Sequence, residues 1–251
     1  MLNIERENSI LELLKQKEVV KIQEIVDILN VSEATARRDL AALEKKELVK
    51  RVHGGAILNN SLDTTKDFNI QFRRNLNKEE KEKIAQLAAS FIKRDSCIFL
   101  DAGTTTLCMI KHLKNLNVKV ITNGLNLIDE LEKYNIESFL IGGKIKSKTS
   151  CTVGFSAVQY LKTFNFDSTF IGVNALNIDG CSTPSFEEAM IKSEAINRGA
   201  ETFFLCDHTK IGKHSFTIFS TLDKGTVITD KPLPKEYQNL VKVEVVEWYI
   251  H

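Results

Sequence analysis

Three short stretches of this chain carry side chains at spacings suited to chemistry. The first is Arg37-Arg38, inside Val31-Ser32-Glu33-Ala34-Thr35-Ala36-Arg37-Arg38-Asp39-Leu40. An arginine on a helix face forks onto guanine O6 and N7 or onto phosphate; the plainer reading is pairing with Glu33 or Asp39 on the helix surface. The second is Asp101-Ala102-Gly103-Thr104-Thr105-Thr106, where an apolar strand runs into Asp, a flexible Gly and three hydroxyls that open a helix. Backbone N–H groups at a helix start suit a phosphate, although threonine there is more often a simple cap. Neither G-x-x-x-x-G-K-[ST] nor G-x-G-x-x-G is present in it. The third, Asp207-His208-Thr209-Lys210, ends another apolar run with a carboxylate and an ammonium.

The elements that must hold Arg37 and Arg38 are predicted over residues 4–58 as three short helices and a hairpin. Ile10, Leu11, Leu13 and Leu14 stripe the first helix, and Ile22, Ile25, Val26, Ile28 and Leu29 the second. Ser32 supplies an N-cap oxygen and Glu33 a first-turn carboxylate, so the third helix runs from there to about Lys46. On a helical wheel Ala36, Leu40, Leu43 and Glu47 form the inward seam, while Ala34, Arg38, Ala41 and Lys45 face outward with Thr35 beside them. Small residues on that face let a helix enter a major groove, with Arg37 on its flank. Leu48–Val52, His53-Gly54-Gly55 and Ala56–Leu58 read as strand, turn and strand, and Lys50, Arg51 and His53 are placed to touch phosphates.

Asn59 to Thr65 is polar and poor in core formers, which sets the expected organisation: a DNA-binding domain over 1–58, a linker over 59–67 and a second domain over 68–251. From Phe68 to about Lys93 the pattern is helical, and the charge run Lys78–Lys83 reads as a solvated face. Beyond Asp95, apolar strands predicted at 97–101, 118–122, 138–141, 168–171, 202–206 and 226–229 alternate with helices, which argues for a mostly parallel α/β sheet covered on both faces. Ligands of such sheets lie beyond the carboxyl ends of the strands. Thr122-Asn123-Gly124, Gly142-Gly143 and Gly172 occupy that edge.

Composition excludes other classes. Residues 1–58 hold ten Lys and Arg against ten Asp and Glu, and the whole chain carries a net +1, so bulk charge says nothing about nucleic acid. Five widely spaced cysteines form no C-x-x-C pair, and the five histidines no H-E-x-x-H, so neither disulfides, a metal nor a cofactor is expected. Four of the cysteines read as small buried apolar groups. No apolar run nears the ~20 residues of a membrane span, and the first residues are too polar for a signal peptide, so a cytoplasmic location is expected.

The stretch Val31–Leu40, followed by Leu43-Glu44 and Val52-His53-Gly54-Gly55-Ala56, closely resembles the N-terminal signature of the DeoR family of bacterial transcriptional regulators. The ordered set Asp101-x-Gly103-Thr-Thr-Thr106, Thr122-Asn123-Gly124, Gly142-Gly143, Asp207-x-x-Lys210 and Ile228-Thr-Asp230 is similar to that family's sensor domain. The resemblance implies a winged helix-turn-helix followed by a Rossmann-like domain related to ribose-5-phosphate isomerase and glucosamine-6-phosphate deaminase. It implies operator contacts from Ser32, Glu33, Ala34, Thr35, Arg37, Arg38, Lys45, Arg51 and His53. By the same resemblance Gly103 to Thr106 hold the phosphate of a sugar phosphate, Asp101 and Asp207 its hydroxyls, and Lys210 an anionic group, with Thr122, Asn123, Gly124 and Gly143 nearby. Glu187 and Lys192 fall in a segment expected to close over the ligand, or else on a solvated helix face. The stretches around Cys181–Glu188 and Asp207–Lys210 look like those of members that respond to ketose phosphates. Two departures are Ala36, where a larger aliphatic residue is usual, and Gly172-Val173-Asn174, where the family is richer in glycine.

The expectation is therefore a repressor of a sugar-utilisation operon, a homo-oligomer (dimer or tetramer) with double-stranded operator DNA and a phosphorylated sugar as partners, and no enzyme. The competing reading is an isomerase or deaminase on the same ligand class, since Asp101, Glu187, Asp207 and Lys210 are capable of proton transfer. The helix-turn-helix weighs against it.

Overall fold

The computed structural model describes residues 3–17, 19–46, 48–52, 54–58 and 70–247, and divides the chain into two units, Met1–Asp63 and Thr64–His251. His53, Glu47 and the expected linker 59–67 lie outside the described residues.

The first unit comprises α1 (Asn3–Gln16), β1 (Val20–Lys21), α2 (Ile22–Leu29), α3 (Glu33–Lys45), β2 (Val49–Val52) and β3 (Gly55–Leu58). Asn30 takes the left-handed conformation (φ 49°) and stops α2. Ser32 Oγ then accepts the Thr35 N–H at 3.2 Å, so α3 starts one residue later. Between the helices the chain has room only for a tight turn. The hairpin of β2 and β3 forms as expected, and β1, too short to leave a sequence pattern, pairs antiparallel with β3. That approach requires glycine at 55, where a Cβ would stand 2.3 Å from the Val20 carbonyl oxygen.

Ile10, Ile25, Ala36, Leu40 and Leu43 are fully buried and make this unit's core. Two expectations are corrected. Ile28, counted in the apolar stripe of α2, is 54% exposed because it lies at the edge of the face that meets α3. Asp39 is buried, and pairs with Arg6 of α1 at 2.8 and 3.1 Å instead of with Arg37 or Arg38. One carboxylate facing inward thus pins α1 to α3.

The second unit comprises α4 (Ile70–Asn75), α5 (Lys78–Ser90), β4 (Cys97–Leu100), α6 (Thr104–Met109), β5 (Lys119–Thr122), α7 (Ile128–Lys133), β6 (Ser138–Leu140), β7 (Lys144–Lys146), β8 (Cys151–Val153), α8 (Phe155–Leu161), β9 (Phe166–Gly172), β10 (Ala175–Asn177), β11 (Gly180–Thr183), α9 (Phe186–Arg198), β12 (Gly199–Leu205), β13 (Thr217–Ser220), β14 (Thr226–Thr229) and β15 (Lys242–Val245). The six expected strands form a parallel sheet, joined at one edge by β15, in the order β15-β14-β12-β9-β4-β5-β6. Both faces are covered over the inner strands, which are largely apolar, while β6 at one edge is exposed. Ile98 and Leu100 pack with α5 and α6 residues such as Ile84, Ala88 and Leu107, while Phe99 between them packs with α8 and α9 residues such as Leu161 and Ile191. The helical stretch expected from Phe68 to Lys93 is broken at Asn77, whose φ of 48° separates α4 from α5. A small antiparallel sheet, β10-β11-β13, and the β7–β8 hairpin were not legible as periodic runs. Cys151, Cys181 and Cys206 are buried and Cys97 and Cys108 half-buried, all free thiols.

The ion pairs of α3, Asp39 with Arg6 and Glu33 with Arg37, differ in burial, and so in worth. Asp39→Asn, which leaves Arg6 beside a neutral amide in a buried setting, should lower the thermal midpoint of the N-terminal unit by about 5 °C or more. Arg37→Ala breaks an exposed pair and should move it by no more than ~2 °C. Circular dichroism melts compare the two.

Candidate functional site

The outward face of α3 is built as the wheel predicts. Ala34, Arg38, Ala41 and Lys45 are exposed, and Arg38 has no hydrogen-bond or ion-pair partner among the described residues. Arg37 is paired with Glu33 of the preceding turn at 2.5 Å, on the exposed surface where such a pair exchanges readily for another anion. Ser32 and Thr35 share a hydroxyl contact at 2.8 Å in the cap. Arg51 is exposed on β2, its backbone N–H donating to Glu44 Oε1 at 3.1 Å.

In the second unit the large sheet reverses its order between β4 and β9: later strands add outward from β9 on one side, and β5 and β6 from β4 on the other. An open pocket lies at the carboxyl ends of those two strands. It is lined by Asp101, Gly103, Thr104, Thr105, Asp207 and Lys210 of the expected set. Asp101, at the end of β4, is buried; its Oδ2 accepts the Gly172 N–H at 3.1 Å and the ammonium of Lys192. Lys192 also donates to the Gly172 carbonyl at 2.9 Å, tying α9 to both strands. Asp207, beyond β12, accepts from Asn77 Nδ2 at 3.0 Å and from the Thr209 N–H at 3.1 Å. Burial works against its charge, but Lys210 and the Thr209 hydroxyl outweigh that and hold the carboxyl below the usual range.

Other expected residues stand behind the pocket wall. Thr106 is fully buried, its hydroxyl donating to the Asp101 carbonyl at 2.6 Å and accepting the Gly103 N–H at 3.0 Å; it shapes the loop from inside. Thr122, Asn123 and Gly124 are buried: Thr122 Oγ1 accepts the Gly124 N–H at 2.9 Å, and Asn123 Nδ2 donates to the Thr152 carbonyl at 3.0 Å. Glycine is required at 124, where a Cβ would meet Ala102 Cα at 2.9 Å. These residues support the 102–106 loop. Gly143 packs against Val153 and Ala157.

Glu187 faces outward and pairs with Lys144 at 3.2 Å, while its neighbour Glu188 lines the pocket. The reason is helical phase. Ser185 caps α9, and the buried residues Glu188, Ile191, Lys192 and Ala195 recur at spacings of three and four.

Sequence reasoning missed Arg73, Asn77 and Lys81, all of which line the pocket. Lys81 lies in the charge run expected to be solvated, yet it is buried, with its ammonium donating to the Arg73 carbonyl. Burial, reinforced by the charges of Lys210 and Arg73 and opposed by Asp207, pushes its pKa down to about 8. The signal was available: Lys81 shares a helix face with Ile84, Ala85 and Ala88, all buried. Arg73 Nε is buried without a hydrogen-bond partner. Two pocket-lining acids are already matched, Asp101 by Lys192 and Glu188 by Lys146. Arg73, Lys81 and Lys210 then face the single carboxylate of Asp207.

A helix-turn-helix with an exposed basic face, joined to a parallel α/β unit with a cationic pocket, is the design of a ligand-responsive DNA-binding regulator. Residues 6–62 match the DeoR-like helix-turn-helix domain and residues 76–231 the DeoR C terminal sensor domain, and the chain belongs to the DeoR family of transcriptional regulators. It is 36% identical over 98% of its length to the HTH-type transcriptional regulator FruR of Bacillus subtilis (strain 168), covering 98% of that protein. It is 35% identical to the HTH-type transcriptional repressor GlcR of the same strain, over 92% of this chain and 90% of that one. It is 32% identical to the lactose phosphotransferase system repressor of Staphylococcus aureus (strain N315), over 98% and 97%. These relatives are regulators, and the enzyme reading falls. Among solved structures the chain is similar to ribose 5-phosphate isomerase A of Methanocaldococcus jannaschii (19% identity, 54% of this chain and 55% of that one, TM-score 0.39). It is also similar to eIF2B delta of Chaetomium thermophilum (17%, 82% and 63%, TM-score 0.43). No helix among the described residues is long and apolar enough to cross a membrane.

Proposed function

We propose that the chain is a cytoplasmic repressor of a sugar-utilisation operon, with residues 1–58 reading the operator, 59–67 as linker and 68–251 binding a phosphorylated sugar that controls DNA affinity. The observation that carries the ligand is the charge imbalance of the pocket: Arg73, Lys81 and Lys210 against Asp207. Lys81 is buried and Arg73 and Lys210 half-buried, so their excess positive charge is costly, and a phosphate monoester near neutral pH brings close to two negative charges. Its oxygens suit the backbone N–H groups at Thr104 and Thr105, at the start of α6. Sugar hydroxyls suit Asn174, Glu188 and Asp207, which line the same space. A ketose monophosphate of the fructose or tagatose type fits the motifs of this chain, and the name of the lactose phosphotransferase system repressor agrees with a sugar signal.

On the DNA side, Arg38 and Lys45 project from a face of small residues, and Arg51 adds a phosphate contact from the wing. Arg38→Ala should cost roughly 1–3 kcal/mol of specific binding if Arg38 reads a base edge, with thermal stability nearly unchanged. A gel-shift titration equal to wild type would remove Arg38 from the reading face. One three-helix reader covers too little DNA to select a site, so the active form is at least a dimer. Light scattering at micromolar concentration should give a mass of two or four chains, and a monomer both on and off DNA contradicts this.

Lys210→Ala should weaken sugar-phosphate binding in calorimetry by about tenfold or more, while operator affinity without ligand stays within about threefold of wild type. A mutant that binds and responds normally refutes the pocket assignment. The Lys81 ammonium adds a pH signature. A bound anion favours its protonated form, so affinity is fully present below about pH 8 and is lost as pH rises through that value. Between pH 7 and 9 affinity should fall about tenfold, and Lys81→Met should flatten that limb of the profile. An unchanged slope in the mutant would assign the titration elsewhere.

A further inference from the structure

The β7–β8 hairpin and its turn, residues 144–153, hold a pocket-lining residue and the start of α4 at once. Glu188 lines the pocket, and its Oε1 accepts from Lys146 Nζ and from Thr149 Oγ1, each at 2.8 Å. Its other carboxylate oxygen makes no hydrogen bond among the described residues. Between those two hairpin residues, the Lys148 carbonyl accepts the N–H of Ile70 at 3.0 Å. Ile70 is the first residue of α4 and is buried. The far end of α4 returns to the pocket: Arg73 lines it, and the Arg73 carbonyl accepts from Lys81 Nζ and, at 3.5 Å, from Thr104 Oγ1. The hairpin itself is fastened at its base. Thr152 Oγ1 donates to the Ile141 carbonyl at 2.5 Å, and the Ser150 carbonyl accepts the Leu125 N–H at 2.9 Å.

We infer that Glu188, the 144–153 hairpin and α4 form one coupled element that passes the state of the pocket to the chain leading into the DNA-binding unit. This rests on the reading that the pocket holds the effector. A ligand that draws on Glu188 competes for a carboxylate that Lys146 and Thr149 already share, so the free energy of the hairpin turn differs between empty and filled pockets. The turn holds the first helical N–H after the linker, and α4 carries Arg73 into the same pocket. Both ends of α4 therefore respond to one occupant, and the operator is the second site that must bias the same element for coupling.

The test uses the full-length protein with no ligand added, and reads hydrogen exchange of the Ile70 amide together with operator affinity. Thr149 is 1% exposed, and Thr149→Val keeps its shape while removing the hydroxyl. Thr149→Val should speed Ile70 exchange by about tenfold or more and shift operator affinity by about threefold or more. Thr149→Ser, which retains the hydroxyl, and Lys144→Ala, which breaks only the exposed pair on the same hairpin, should leave both within about twofold. Unchanged Ile70 exchange in Thr149→Val overturns the coupling. So does faster exchange spread evenly through α5 and the central strands, since that marks general loss of stability, and so does unchanged operator affinity. Failure of the ligand reading appears separately, as no binding heat from any sugar phosphate offered to the wild-type protein.

Discussion

The large sheet reverses its strand order between β4 and β9, and the second unit is organised around that reversal. Crossovers run away from it on either side, so no connection covers the carboxyl ends of these two strands, and a crevice is left there. Asp101 closes its floor. One carboxylate oxygen takes the Gly172 N–H from the neighbouring strand and the ammonium of Lys192 from α9, so three elements meet on a single buried atom. A buried carboxylate with two donors holds its surroundings in one arrangement, because any displacement leaves a charge unpaired in a poorly solvated place. The 102–106 loop is held from below in the same manner, by the Thr106 hydroxyl and by the glycine at 124.

Charge is treated in opposite ways by the two units. On α3 the basic groups stand in water, where leaving Arg38 unpaired costs little and pairing Arg37 with Glu33 gains little. In the pocket, Lys81 and part of Arg73 are withdrawn from water with few partners, and that burial lowers the pKa of Lys81. A protein that carries such an excess is more stable with an anion bound, by an amount that grows with ligand concentration. Long-range attraction from exposed arginines suits a polyanion met in solution; short-range, desolvated cations suit one small anion held in a fixed place.

Much of this was legible in the sequence, and the misses have a common form. The recognition helix, its Ser32 cap and its small-residue face follow from capping and a period of 3.6, which act within one or two turns. Six strands of the large sheet are legible as short apolar runs; five are buried over most of their length, while β6 is exposed. Asp101, Gly103 to Thr105, Asp207 and Lys210 could be chosen because strand ends and helix starts are where such sheets place ligands. The sequence pattern points to Glu187 where Glu188 faces inward, and to a solvated Lys81, because a run of charges hides which member shares the buried phase. Asp39 was assigned to the helix surface because its partner, Arg6, lies 33 residues earlier.

The sequence by itself determined the two-part organisation, the α/β class, the exposed face of α3 and the loop that opens α6, since each depends on interactions between residues close along the chain. Tertiary structure alone decided the order of the strands, the meeting of Asp101 with Lys192 across 91 positions, and the hold of Thr149 and Lys146 on Glu188. Those contacts depend on which strand lies beside which and on the rotation of each helix about its axis, and neither is encoded in any local pattern of residues.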